Sequence, residues 1–467
     1  QATAALAWAG MAAILLAAVT FNAATPFPGY AALLPVAGTA LVILAAARGR
    51  YSPAPVLGLG PVQWLGGASY SVYLWHWPII VLWPGAAGTA GPDGTAQPPD
   101  PATAAQIIAL TLLLAAATKT LVEDRFRLAL PARRLAPTYR FAAVGMATVA
   151  LLGTAQLAEA GYRQQLAAQQ LSAASQSRSP CIGAAAIAQG FDVCPPDPAA
   201  QLVPDPALAR DDLPAVYKDG CWANEDFTHR PVCTYGHGPV RIALVGNSHA
   251  GQWLPALQEL AGRRNLTITT FLLSRCNVTD AALELRSEQK TRNCLDYGRW
   301  VMERTKGDQF DLVITSARQS VPIAGGSWKD TEAPAVAGYE SYLAKWAAAG
   351  TNVLVIKDPP YPGRQIRSIP DCLAENAGRI SACDGTPASW HWMDPLTKAV
   401  DRLSSPRITA VDLDKYFCAA NRCPAVIGSV LVYRDGSHLT ATYARSLAPY
   451  LDRPIREALA AHRSGTR

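Results

Sequence analysis

A serine held where a buried strand turns into a helix can act as a nucleophile. The run Val240-Arg241-Ile242-Ala243-Leu244-Val245, followed by Gly246-Asn247-Ser248-His249, reads as such a turn. That geometry exposes a hydroxyl at the carboxyl edge of a sheet, while the next helix N-terminus supplies backbone N–H groups. Asn247 or Ser248 could equally serve only as a helix cap. Far along the chain lies Tyr433-Arg434-Asp435-Gly436-Ser437-His438-Leu439-Thr440. An Asp three residues before a His lets the carboxylate orient one ring nitrogen while the other faces a nucleophile, the arrangement that activates a serine. An isolated Asp-x-x-His is also a common surface loop, so the two motifs together carry more than either alone.

Three further groups bear on chemistry. His76 stands in Ser69-Tyr70-Ser71-Val72-Tyr73-Leu74-Trp75-His76-Trp77-Pro78, inside an apolar run. An unpaired imidazole at membrane depth is costly, which makes it a functional candidate. The alternative is an aromatic belt at headgroup level in which His76 hydrogen-bonds a neighbouring helix. His249 could donate near the nucleophile or simply start a helix, and His391, between Trp390 and Trp392, could line a sugar cleft or pack in a core. The ten cysteines, Cys181, Cys194, Cys221, Cys233, Cys276, Cys294, Cys372, Cys383, Cys418 and Cys423, all lie beyond residue 180. Successive partners are 5 to 18 residues apart, which predicts five local disulfides paired in sequential order in an oxidising compartment. Zinc is the weaker alternative, because no Cys-x-x-Cys or finger-like Cys/His spacing occurs.

These groups need two kinds of scaffold. The 467 residues are half apolar and only 16% charged, which argues against a disordered chain and against a wholly soluble one. A net charge of +6 with no dense basic run argues against a nucleic-acid surface. Residues 1–160 carry only eight of the 41 Lys and Arg and five of the 35 Asp and Glu. A bilayer core of about 30 Å needs about 20 helical residues, and five candidate spans fit, near 4–22, 30–47, 68–84, 104–121 and 141–158. Arg48 and Arg50, then Arg125, Arg127, Arg133, Arg134 and Arg140, mark cytoplasmic segments by the positive-inside rule, whereas 23–29 and 85–103 hold no Lys or Arg. Five spans starting inside deliver everything beyond about residue 160 to the outer side, where disulfides form. The chain opens within an apolar run at Gln1 without a start methionine, which suggests a fragment.

Residues 161–239 read as a Pro/Ser/Gln-rich, disulfide-stapled extension. From 240 onward, strand-like runs at about 267–273, 310–316, 351–357 and 407–412 alternate with helical stretches at 249–264, 287–306, 334–349, 392–403 and 440–462. That alternation predicts a three-layer α/β/α domain on a parallel sheet.

Two resemblances add to this. The residues from Ser69 to Pro78 resemble the Ser-Tyr-x-x-Tyr-Leu-x-His-x-Pro signature of the acyltransferase-3 family of membrane O-acyltransferases, and Leu121-Val122-Glu123-Asp124-Arg125-Phe126-Arg127 is similar to that family's ending. The likeness covers the last four core helices, with the 141–158 span as an additional one. The Gly-x-Ser at Ser248 and the Asp435-x-x-His438 pair resemble blocks one and five of the SGNH hydrolase-like family, Gly-Asn-Ser-His being the variant found in SGNH domains fused to acyltransferase-3 units. The resemblance implies Ser248 as nucleophile, His438 as base and Asp435 as its orienter. The usual block-three Gly-x-Asn-Asp is absent, so the second oxyanion donor beside the Ser248 backbone N–H is unassigned. Arg318, at the end of the 310–316 run, is a candidate whose other role is an ordinary salt bridge. Together the resemblances imply three parts: a membrane helical bundle at 1–160, the extension at 161–239 and an SGNH-like domain at 240–467. They imply a multi-pass protein of the bacterial inner membrane with its C-terminal domain outside the cytoplasm. Its activity would be transfer of an acyl group, acetyl by expectation, from cytoplasmic acyl-CoA to a hydroxyl of an envelope glycan. Acyl-CoA would be a donor substrate, with no bound cofactor or metal; the bilayer and the glycan would be the partners. An esterase, or a glycan-binding module serving the membrane unit, are the rival readings.

Overall fold

The computed structural model describes residues 2–21, 25, 29–45, 51–82, 100–125, 135–176, 180–197, 200–223, 226–285, 287–318, 322–326 and 330–464. Arg48, Arg50, Arg127, Arg133, Arg134 and most of the segments 23–29 and 85–103 lie outside them. The chain divides into two compact units, Gln1–Val144 and Gly145–Arg467.

The first unit is helical: Ala2–Thr20, Leu33–Ala45, Gly60–Leu82 and Pro101–Thr118, the last continued by a π-turn over Lys119–Glu123. Asp100 caps the Pro101 helix, its carboxylate accepting from the N–H groups of Ala102 and Thr103, with proline at the first helical position. Five spans were expected, but among the described residues three helices are long and apolar enough to cross a membrane: Thr3–Thr20, Pro101–Glu123 and Tyr139–Arg163. Tyr30–Ala45 is shorter. Gly60–Leu82 has the length, at 23 residues, but Gln63, Ser69, Ser71, His76, two tyrosines and three tryptophans dilute its apolar character. The helix that contains the fifth candidate span runs on from Leu135 to Gln176, well into the stretch read as extension. Ala, Leu and Gln are strong helix formers, and Arg163 pairs with Glu159 one turn back at 2.8 Å.

The second unit is built on a six-stranded sheet: β1 Val232–Tyr235, β2 Val240–Gly246, β3 Leu266–Leu272, β4 Leu312–Ser316, β5 Val353–Ile356 and β6 Ile408–Val411, in the order β1-β3-β2-β4-β5-β6. From β3 to β6 every pairing is parallel. The sheet is nevertheless mixed, because β1 runs antiparallel against β3. A four-residue strand just before β2 can reach the far edge of β3 only by turning back, and its half-exposed pattern suits an edge position. The sheet therefore takes in residues on the near side of the boundary drawn at 240.

Alternate residues of the central strands feed two cores, as the period of two demands. Ile242 and Leu244 face one layer with Trp253, Leu257, Tyr443 and Leu451, while Ala243 and Val245 face another with Tyr297, Val301, Tyr339 and Trp346. The second layer is formed by helices Glu288–Thr305, Glu332–Ala348 and Pro395–Leu403. Ser287 caps the first of these, with Glu288 in its first turn and Arg304 in its last. Two stretches expected as single helices are broken. The first becomes Ser248–Gly251 and Leu254–Arg264, the second Ala441–Ser446 and Ala448–Ser464. In each case a proline, Pro255 or Pro449, sits at the second helical position, in the first turn where no intrahelical hydrogen bond needs its N–H.

All ten cysteines are bridged in sequential pairs: Cys181–Cys194, Cys221–Cys233, Cys276–Cys294, Cys372–Cys383 and Cys418–Cys423. The segment before β1 is no free linker, since Ala184, Ile187, Cys194, Ala209, Val216 and Cys221 pack into the core that holds Ile242 and Leu244.

Candidate active site

The order β3-β2-β4 places β2 where the winding of the parallel sheet reverses, with β3 on one side and β4 on the other. A crevice opens at the carboxyl ends of strands at such a switch point. Gly246 ends β2 there with φ +143°, and a Cβ on it would stand 2.7 Å from the Ser316 carbonyl oxygen of β4. Only glycine allows that strand to turn so tightly. Asn247 caps the following turn, its side-chain oxygen accepting the His249 N–H at 2.8 Å, while its carbonyl accepts from Ala250 and Gly251. Ser248 is thus presented at the strand end.

The base arrives from the opposite end of the sequence. Tyr433 and Leu439 bridge as in a short hairpin, and the loop between them is pinned from outside, with Gly363 N–H donating to the Gly436 carbonyl at 2.7 Å. Within that loop Asp435 Oδ1 accepts the backbone N–H groups of Ser437, at 2.7 Å, and His438, at 2.8 Å. Asp435 Oδ2 meets His438 Nδ1 at 2.8 Å, and His438 Nε2 lies 2.9 Å from Ser248 Oγ. The structure therefore brings Ser248, His438 and Asp435 into one hydrogen-bonded row.

The electrostatics suit proton transfer. Burial pushes His438 down to about 4, against the pull of the Asp435 carboxylate, so the ring is neutral at pH 7 and free to accept a proton. Burial would raise Asp435, but the His438 charge and hydrogen bonds, with Arg434, outweigh it and hold the carboxyl well below its usual range. With Asp435 ionised, Nδ1 of His438 keeps its hydrogen and Nε2 offers its lone pair to Ser248.

Arg318 lies two residues beyond β4 at the same sheet edge. Its guanidinium donates to the Tyr361 hydroxyl at 2.7 Å and stands over that ring at 5.0 Å. Among the described residues this contact with a tyrosine, and no ion pair, is what holds Arg318. His249 is more than a helix-start residue: it is 2% exposed, and its Nδ1 meets Asp358 Oδ1 at 2.7 Å. Burial, then the Arg318 charge, push it down to about 3, so it is neutral and donates from Nδ1. Its Nε2 is buried with no partner among the described residues.

Three participants were not found in the sequence. Asn277 accepts from Asn247 Nδ2 and donates to the Tyr339 hydroxyl at 2.7 Å. Gln252 joins Asp358 to the backbone after His438. Asp358 is the acceptor for both His249 and Gln252. Of these only Gln252 left a signal, being one helical turn after Ser248.

His391 is half-buried and bonded at both ring nitrogens, its Nε2 on Asp414 at 2.8 Å and its Nδ1 on the Pro387 carbonyl at 3.0 Å. The Asp414 hydrogen bond raises it above the usual histidine value. Trp390 is fully buried, and Trp392 carries the Arg364 guanidinium at 5.4 Å. In the first unit His76 Nδ1 bonds the Tyr73 carbonyl of its own helix, not a neighbouring one. The links to the next helix come from Trp75 Nε1 to Thr118 Oγ1 at 2.8 Å and Ser71 Oγ to Glu123 at 3.4 Å. The two segments quoted for the membrane family thus meet. Among the described residues no group of three or more His, Cys, Asp and Glu is placed to hold a metal ion.

Residues 218–453 match the family model of the SGNH domain fused to AT3 domains, about half of the chain. The chain belongs to that family. Residues 1–119 match the model of the acyltransferase domain, so an acyltransferase-3 part precedes the SGNH part, and acyl chemistry, by transfer or hydrolysis, is the activity these two domains support. The chain is similar to the periplasmic domain of a lipopolysaccharide acetyltransferase from Salmonella ser. Paratyphi A. The identity is 12% and the TM-score 0.38, covering 52% of this chain and 88% of that one. No curated protein matches the chain.

Proposed function

We propose that this protein is an O-acyltransferase that passes an acyl group, acetyl in the simplest case, from cytoplasmic acyl-CoA across the bacterial inner membrane to a hydroxyl of a cell-envelope glycan. The observation that carries the reading is the row Asp435–His438–Ser248 at the carboxyl end of β2, in a chain whose first part matches an acyltransferase domain.

In this reading Ser248 Oγ attacks the acyl carbonyl as His438 Nε2 takes its proton. The acyl carrier leaves with that proton, and an ester remains on Ser248. A glycan hydroxyl then gives its proton to His438 and attacks the ester carbonyl. The Ser248–acyl bond breaks, and the proton returns to Oγ. The Ser248 backbone N–H holds the oxyanion, with Arg318 as second donor. His76 belongs to the membrane half of the transfer. The basic segments at 48–50 and 125–140 lie in the cytoplasm, which leaves the five bridges outside it and the glycan within reach.

The test is glycan acylation in cells carrying Ser248→Ala at normal protein level. Loss of acyl groups supports transfer, a gain would make the domain an esterase, and wild-type acylation with the protein folded and in place would sink the catalytic role of Ser248.

A further inference from the structure

Beside the contact between Ser248 and His438 lies a second His–carboxylate pair that the chemistry above does not use. Asp358 stands two residues past β5, as Ser248 stands two residues past β2, and it is 2% exposed. Its Oδ1 receives His249 Nδ1 at 2.7 Å and Gln252 Nε2 at 3.4 Å. Gln252 Oε1 in turn accepts the backbone N–H of Leu439 at 3.0 Å. His249 adjoins the nucleophile, and Leu439 adjoins the base. One carboxylate oxygen is therefore tied to both sides of the 2.9 Å contact between Ser248 and His438. The His249 ring also packs against the His438 ring, with 4.7 Å between centroids. Burying a carboxylate is costly even when it is paired, and apolar filling of similar volume is often no less stable. A merely space-filling role does not explain an acid at this place.

We propose that Asp358 is a positioning residue: through His249 and Gln252 it holds the nucleophile turn and the base loop at the separation that proton transfer needs. The proposal rests on Ser248 being the nucleophile. What the tie requires is an acceptor oxygen at the Oδ1 position, which asparagine also supplies. A displacement of about 1 Å at the reacting atoms can slow a reaction by about 100-fold, so a broken tie should appear in the rate of the chemical step and not in ligand affinity.

The experiment follows saturable labelling of Ser248 by a fluorophosphonate in the full-length protein in membranes, separating the maximal rate from the half-saturating concentration. Asp358→Ala should lower the maximal rate by about 10- to 100-fold with half-saturation unchanged, and Asp358→Asn should restore most of it. Gln252→Met, which cuts the tie to Leu439 alone, should slow labelling by a smaller factor at an unchanged unfolding midpoint. In a His438→Ala background Asp358→Ala should add no further loss, because it acts through the base. Wild-type maximal rates in Asp358→Ala and Gln252→Met would overturn the proposal, as would an equal loss with His438 absent. If Asp358→Ala does not fold, Gln252→Met and Asp358→Asn decide. Failure of the wild-type protein to label at Ser248 would overturn the nucleophile reading, and this one with it.

Discussion

The helices of the first third and the sheet unit treat their large apolar side chains in opposite ways. Among the described residues, the exposed large hydrophobics all fall at or before Tyr162, apart from Val193 and Val232. Leu113 is 66% exposed and Val19 84%, whereas Trp253, Trp346 and Trp390 in the sheet unit are fully buried. The same hydrophobic effect accounts for both. In the sheet unit, apolar groups leave water by packing on one another; in the helices they need an apolar solvent supplied from outside. The bridges follow the same division, all ten cysteines lying in the unit that closes its own core.

The strongest way to break this comparison is reduction. Opening all five bridges should unfold the sheet unit and leave the helices of the first unit inserted, as read by protease resistance of each in membranes. The Cys276–Cys294 pair alone, closing a loop of 18 residues, should account for about 3 kcal/mol in a Cys276→Ser/Cys294→Ser variant. A sheet unit indifferent to reductant would remove the oxidising-compartment argument.

A sharper and smaller effect compares one substitution in two settings. Leu113→Asp and Val193→Asp replace side chains of similar exposure, 66% and 62%. The first lies in the middle of Pro101–Glu123 and should impair insertion by about 3 kcal/mol. The second should change the unfolding midpoint of the sheet unit by the equivalent of about 0.5 kcal/mol or less. Equal costs at both sites would mean that the exposed surface of the first region faces water.

The smallest expected effect is a near-absence. The base sits half-buried in the unit that packs its own core, and desolvation there pushes His438 down to about 4. Neutral imidazole is the active form, so labelling of Ser248 should lose only about a tenth of its rate between pH 7 and pH 5, then fall about tenfold for each further unit below pH 4. A base at the ordinary histidine value of about 6.5 would already have lost about 25-fold between pH 7 and pH 5, an outcome that would show that burial does not set the protonation of His438.

Much of this could be read from the sequence where the pattern is local. The apolar runs of β2 to β6, the cysteine spacings and the Gly246-Asn247-Ser248 turn each depend on residues close in the chain, and the structure forms each near the expected place. β1 was not legible, because Val-Cys-Thr-Tyr between proline and glycine is too short and too mixed to signal a strand; its pairing with β3 is settled by the sheet edge available to it. The helix breaks at Pro255 and Pro449 were legible in principle but were read through, since proline in a first turn marks a start as readily as an interruption. One of the two readings of His76 bonds it to a neighbouring helix; among the described residues its Nδ1 meets the Tyr73 carbonyl of its own helix, three residues back.

The sequence by itself determined which residue types stand at each strand end, since side-chain chemistry and local propensity belong to short windows. The tertiary structure decided which ends meet. Ser248 and His438, 190 residues apart, come within a hydrogen bond because parallel strands put their carboxyl ends on one edge and the reversal of winding at β2 opens that edge. Asp358, 109 residues from His249, shows the limit of local reading. A carboxylate after a strand has the same one-letter signature whether it faces water or anchors a buried histidine, and only the packing of the sheet's two faces tells them apart.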